Sequence, residues 1–168
     1  KKVYLTDLGF DKVSVYDLDH ASGKLKNTGS VKLAKGSGPR HFTFSKDGKP
    51  YVSYLDYLAS VAQANSVSMY NGTSWAYVGG NKGVTTNKIT YNALSFTADD
   101  KLMLFSTIDN TAGPLARREL GIATFASNAW TVNQAMPGRA SSDVTYLQQA
   151  RLVNDTLYVG IFNAISPN

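Results

Sequence analysis

Two histidines, 12 carboxylates and no cysteine make up the reactive inventory of this 168-residue chain. Without cysteine there is no thiolate nucleophile, no disulfide and no thiolate metal ligand. His20 sits in the polar turn Asp19-His20-Ala21-Ser22-Gly23 and reads as solvent exposed, whereas His41 follows Gly36-Ser37-Gly38-Pro39-Arg40 and opens an alternating, strand-like stretch. No spacing of histidine and carboxylate matches a metal site, and the glycines at 36 and 38 lead into a strand, not a helix, so they are not a phosphate loop. No metal and no other cofactor is expected. The remaining chemistry-bearing set is aromatic: Tyr70, Trp75, Tyr77, Phe96, Phe105, Phe125 and Trp130. Exposed, such rings make a platform for sugars, so that a carbohydrate would bind at Trp75 or Trp130. Packed, they are contacts between repeated units, and packing is the expected role.

The charge balance narrows the partners. Lys and Arg total 17 against 12 acidic residues, for a formal charge of +5, but the basic residues are scattered or come in short pairs such as Lys1-Lys2 and Arg117-Arg118. A surface that tracks phosphates is denser than that, so no nucleic-acid partner is expected. No apolar run approaches membrane-spanning length, and Lys1-Lys2-Val3-Tyr4 opens directly into a strand pattern with no signal-peptide core, so the chain reads as soluble with no membrane partner. The sequons Asn71-Gly72-Thr73 and Asn154-Asp155-Thr156 leave the compartment open. With 43% hydrophobic residues the chain can bury a core.

The elements that position these residues repeat. Val3-Tyr4-Leu5, Tyr51-Val52-Ser53-Tyr54, Leu102-Met103-Leu104-Phe105 and Leu157-Tyr158-Val159-Gly160-Ile161-Phe162 recur about every 50 residues. The last three follow acidic turns, with Asp47-Gly48, Asp99-Asp100 and Asn154-Asp155 at the tips; these residue types accept the left-handed dihedrals of tight hairpins. Alternating stretches precede the first two turns, His41-Phe42-Thr43-Phe44-Ser45 and Tyr91-Asn92-Ala93-Leu94-Ser95-Phe96, and a blurred copy, Val144-Thr145-Tyr146-Leu147, precedes the third. A third strand follows in each unit (Val13-Ser14-Val15-Tyr16, Val67-Ser68-Met69-Tyr70, Ile122-Ala123-Thr124-Phe125) and then a fourth (Ser30-Val31-Lys32-Leu33, Trp75-Ala76-Tyr77-Val78, Trp130-Thr131-Val132). The fold class predicted is all-β: about three four-stranded antiparallel β-propeller blades plus one further strand, in a single repeat domain with units near 1–48, 49–100, 101–155 and 156–168. Gly113-Pro114-Leu115-Ala116-Arg117-Arg118-Glu119-Leu120, the best helix candidate, reads as a loop insertion between paired strands.

A more specific signal lies in residues 1 to about 52: Val3-Tyr4-Leu5-Thr6-Asp7-Leu8-Gly9, Asp11-Lys12-Val13-Ser14-Val15-Tyr16-Asp17, and Gly36-Ser37-Gly38-Pro39-Arg40-His41-Phe42-Thr43-Phe44 with Asp47-Gly48-Lys49. This region resembles the seven-bladed propeller lactonases, the family that includes bacterial 6-phosphogluconolactonase. The resemblance implies a site in the funnel at one end of the propeller axis, where water attacks a lactone carbonyl with the help of a base and of groups that hold the oxyanion. By motif match it makes His41 the base or a substrate hydrogen-bond donor, Arg40 the group that holds a carboxylate or phosphate, and Asp7 an orienting partner. A small sugar or lactone is then the ligand expected. The family pattern places Asn-Glu where this chain has Tyr54-Leu55, so its carboxylate is missing; Asp56 is adjacent, but a one-residue shift along a strand reverses the face. Catalysis is therefore expected to be absent or weak, and the leading expectation is a binding or scaffold protein.

Val67-Ser68-Met69-Tyr70-Asn71-Gly72-Thr73-Ser74-Trp75 instead looks like another group of bacterial propellers, which suggests a recombined or engineered chain. Three blades are too few for a closed ring. Pairing of incomplete blades with a second copy, as a homodimer, is the assembly expected.

Overall fold

The computed structural model describes residues 1–80, 82–110, 117–133, 144–154 and 156–164. The strands are β1 (Lys2–Asp7), β2 (Lys12–Leu18), β3 (Leu25–Lys32), β4 (Pro39–Phe44), β5 (Pro50–Asp56), β6 (Ala64–Tyr70), β7 (Trp75–Tyr77), β8 (Ile89–Phe96), β9 (Leu102–Asn110), β10 (Arg117–Ala126), β11 (Ala129–Asn133), β12 (Val144–Val153) and β13 (Thr156–Ala164). They form four antiparallel meanders: the first sheet is β1-β2-β3, the second β4-β5-β6-β7, the third β8-β9-β10-β11 and the fourth β12-β13. Two are complete four-stranded blades and the flanking two hold three strands and two, so the all-β propeller architecture is present with no closed barrel among the described residues. β1, β5, β9 and β13 are the strands whose recurrence the sequence displays. The hairpin tips that separate the sequence units fall inside sheets, because each tip joins a blade's first strand to its second; the chain passes from one sheet to the next after β3, β7 and β11.

Tip chemistry accounts for the hairpins. Gly48 (φ 81°), Asp100 (φ 62°) and Asn154 (φ 48°) all take left-handed dihedrals, which glycine, aspartate and asparagine accept at the least cost. Ser45 and Thr97 each lock the tip a second time, accepting from the amide of Lys49 or Lys101 and donating to Asp47 or Asp99. The expected insertion at 113–120 is corrected in its second half: Arg117–Leu120 pair with Thr107–Asn110 as the start of β10. The first half lies outside the described residues.

The first, inner strands β4, β8 and β12 neighbour one another in order, and β1 neighbours β4 from the first sheet, so successive sheets pack against one another. Both faces of a middle blade are thereby covered. This explains why Val52 to Asp56 of β5 are buried without interruption where a half-exposed strand would alternate. Val67, Val78, Val84, Leu94, Leu102, Leu104 and Ala123 form the core between the second and third sheets. Each fully buried valine or leucine side chain contributes roughly 1.5–3 kcal/mol. Ala93 and Phe105, with Leu152, Leu157 and Val159 against them, join the third sheet to the fourth. The first sheet docks differently, through Tyr4 stacked on Phe42 (5.2 Å) and edge-on to Phe44 (4.9 Å).

Small polar residues inside this apolar packing are paired with one another. Ser53 Oγ donates to Asn92 Oδ1 (3.1 Å), Asn92 Nδ2 donates to Asn65 Oδ1 (3.1 Å), and Asn65 Nδ2 donates to Ser106 Oγ (2.8 Å), all buried and running between the second and third sheets. Outside it, Trp130 Nε1 donates across the same interface to Val78 O (3.0 Å).

Candidate functional site

The connections 8–11, 33–38, 57–63 and the described parts of the next, 78–80 and 82–88, all lie at the end of the sheets where the inner strands begin, opposite the hairpin tips. Between the first two sheets at this end is a cavity of about 200 Å³, lined by Leu8, Asp11, Gly36, Gly38, Arg40, Leu55 and Tyr57.

Local backbone geometry places Arg40 there. In β4, Pro39 pairs with Tyr54 and His41 with Ser53, so Arg40 is the extra residue of a β-bulge. A bulge re-aims a side chain without disturbing the ladder beyond it. The Arg40 carbonyl accepts from Thr6 Oγ1 (3.1 Å), which ties the bulge to β1. Its guanidinium has no carboxylate within ion-pair distance among the described residues.

Asp11 shapes the floor. From a left-handed backbone (φ 50°) it reaches the connection that enters β4 and accepts from Gly36 N with Oδ2 (2.8 Å) and from Gly38 N with Oδ1 (2.8 Å). Both oxygens are spent on backbone amides, and Gly36 (φ 81°) and Gly38 (φ 49°) supply the curvature that presents those amides. Asp11 opens one of the motifs that carry the family resemblance, yet the sequence alone assigned it no role.

The residues expected at the site do not converge. Asp7 stays with its own hairpin: its Oδ1 accepts from Gly9 N (3.2 Å) and Phe10 N (3.1 Å), and Lys12 Nζ stands 3.9 Å from Oδ2. His41 is half-buried on the opposite face of β4 from Phe42, away from the cavity lining. Burial, and then the adjacent Arg40 charge, holds its imidazole below the ordinary histidine pKa of 6.5, so it is neutral at neutral pH. Arg40 alone of the three lines the cavity.

Asp56, next to the missing carboxylate position, is sealed in. Only 1% exposed, it accepts from Ser66 Oγ (2.8 Å), Tyr77 Oη (3.2 Å) and Leu58 N (2.8 Å). Burial raises the Tyr77 phenol, which keeps it protonated as a donor to Asp56, and also raises that of Tyr54, whose hydroxyl meets Ser68 Oγ (2.8 Å). Asp56 therefore anchors the 57–63 connection that carries Tyr57 and does not line the cavity. The two tryptophans are likewise built into the blades, Trp130 by its bond to Val78 and Trp75 with its indole nitrogen buried.

The profile of the family described as "Lactonase, 7-bladed beta-propeller" matches residues 1–107. The chain belongs to that family. The match continues through the Val67–Trp75 segment that resembles other propellers, well beyond the residues near 52 where the lactonase motifs end. A 6-phosphogluconolactonase-type protein of Bacteroides uniformis has the same fold at 15% identity with a TM-score of 0.54, over 95% of this chain and 43% of that one. The lactonase-family chain thus spans less than half the length of that protein. A fucose lectin from Kordia zhangzhouensis, in complex with methyl-fucoside, is also similar, at 10% identity and a TM-score of 0.37 over 79% of this chain and 97% of that one. No curated protein matches the sequence.

Proposed function

We propose that this chain is a binding segment of a lactonase-type propeller, which recognises an acidic sugar lactone or the sugar acid it opens to, and that it does not supply the hydrolytic base. The observation behind this reading is Arg40, a guanidinium presented by a bulge at a cavity mouth with no carboxylate partner among the described residues. Arginine's planar donor fork matches carboxylate and phosphate geometry, and Leu8 and Tyr57 offer apolar surface for a sugar ring beside it. Hydrolysis would need an acceptor open to water at the same mouth. Asp7, Asp11 and Asp56 are each committed to hydrogen bonds within the protein, and His41 does not line the cavity.

Calorimetric titration with 6-phosphogluconate tests the binding half: Arg40→Ala should weaken it by about tenfold or more, the value of a lost charge-assisted hydrogen bond. Equal affinity in the variant would refute it. For catalysis, acid release from a gluconolactone in a pH-stat should stay at the spontaneous rate. Robust turnover that vanishes in His41→Ala would establish the chain as a hydrolase.

We further propose that the open edge of β1 is completed by a strand from a second copy. β5 and β9, its counterparts, have strand neighbours on both sides, whereas β1 pairs only with β2 among the described residues. An unpaired edge is a template for association.

A further inference from the structure

A larger cavity lies at the other end of the molecule. It is a groove of about 460 Å³ between the second and third sheets, at the level of the hairpin tips. We infer that this groove is a second, separate ligand site, for a neutral pyranose.

The walls argue for a sugar. Tyr51 and Phe96, in edge contact at 5.1 Å, line it together with Phe125, whose ring leans on Trp130 at 5.1 Å. All three are half-buried, each with ring surface left over for the C–H faces of a sugar. Between the first and second sheets, by contrast, the Tyr4, Phe42 and Phe44 rings touch one another pairwise at 4.9–5.2 Å and fill the interface themselves. At the level of the hairpin tips, the second interface holds an open groove where the first holds this ring cluster.

The rim carries charges of both signs. Asp47 and Asp100 face the groove beside Lys101, which opposes anions. Two of these three charges are already paired, Asp47 with Lys49 (2.6 Å) and Lys101 with Asp99 (2.7 Å). What remains is alternating acceptors and donors around an aromatic floor. That pattern suits the hydroxyls of an uncharged ring, in a pocket of mixed apolar lining and few polar groups. Asp100 is the best placed acceptor: its Oδ1 takes Lys46 N (2.9 Å), bridging the tips of both sheets.

Saturation-transfer NMR with methyl β-glucopyranoside, galactopyranoside and mannopyranoside, irradiating aromatic protons, tests the inference on the intact chain. At least one should bind with a dissociation constant on the order of 1 mM, an ordinary efficiency per atom for a ligand of that size. Asp100→Asn keeps the turn and the bond to Lys46 and should weaken binding by about tenfold. Lys101→Gln, whose side chain is remote from the core, should weaken it in the same direction and covers the case in which Asp100→Asn folds poorly. Arg40→Ala should leave it untouched, so loss of the acidic-sugar site and loss of this one are separable. No transfer from any of the three glycosides, or binding that survives undiminished in a folded Asp100→Asn or Lys101→Gln, would overturn the inference; so would binding abolished by Arg40→Ala.

Discussion

Replacing Asn65 by leucine should cost about 3 kcal/mol, and the reason lies in what the substitution leaves behind. Asn65 is fully buried, with its Oδ1 held by Asn92 and its Nδ2 holding Ser106. Its backbone bonds to Thr85 and Val84 survive the change, so only the side-chain pairings are lost. Two net hydrogen bonds at roughly 1 kcal/mol each disappear, and the Asn92 amide protons that pointed at Oδ1 are stranded for a further 1–3 kcal/mol or so. The added apolar burial returns about 1 kcal/mol. A loss of about 3 kcal/mol lowers the melting temperature by roughly 6–12 °C for a chain of this size. Asn92→Leu should behave alike, because it strands Asn65 and loses Ser53 as well. The informative measurement is the double variant in urea unfolding. With both amides gone, only the hydroxyls of Ser53 and Ser106 remain, and hydroxyls rotate to new acceptors, so the double variant should cost about 2 kcal/mol less than the sum of the singles. Additive costs, or a single-variant cost below about 1 kcal/mol, would refute the chain of bonds as the inter-sheet determinant.

Three other expectations rest on features with separate causes. The His41 imidazole is held below 6.5 by burial, so the unfolded chain binds its proton first: stability is full above 6.5 and declines as the pH falls from there to the depressed folded value, and His41→Gln should flatten that part of a melting-temperature profile. Gly79 takes φ 73°, and a Cβ there would stand 3.0 Å from the Phe125 ring and 3.3 Å from Trp130, so Gly79→Ala should destabilise by about 2 kcal/mol in chemical denaturation; no change would mean the ring pair has room to move. Light scattering should give a dimer mass, and a well-folded monomer at all concentrations would sink the proposed completion of β1.

Much of the fold was legible because a strand's period of two and a hairpin's left-handed tip are local properties. Phe42 and Phe44 announced β4, and Asp47-Gly48 its end. The phase of the sheets was harder: hairpins can be counted from the chain, but which connection crosses to a new sheet depends on the packing of Tyr4 onto Phe42. β3 begins at Leu25, earlier than the apolar Ser30–Leu33 stretch suggests, because Lys26 and Asn27 pair with Asp17 and Tyr16 despite facing water. The site was the least visible part. Arg40 drew notice by its place in the Gly-Pro-Arg-His run, yet nothing in a sequence says that a register skip will turn it away from His41. Asp11 is one of several turn aspartates until its two oxygens are seen on Gly36 and Gly38. Asn65 and Asn92, polar in otherwise apolar strands, were a signal of pairing that needed the third dimension to be read.

The register skip at Arg40 has counterparts. β8 skips between Ile89 and Tyr91, leaving Thr90 as the extra residue, and β12 skips between Leu147 and Gln149, leaving Gln148. Three successive inner strands thus each carry one register shift, in the half of the strand that leads away from the hairpin tip. A shift of this kind re-aims one side chain while the ladder on either side continues, so a side chain can be exchanged there without retuning the rest of the blade. A ring of blades built this way separates the evolution of what it binds from the evolution of how it stands.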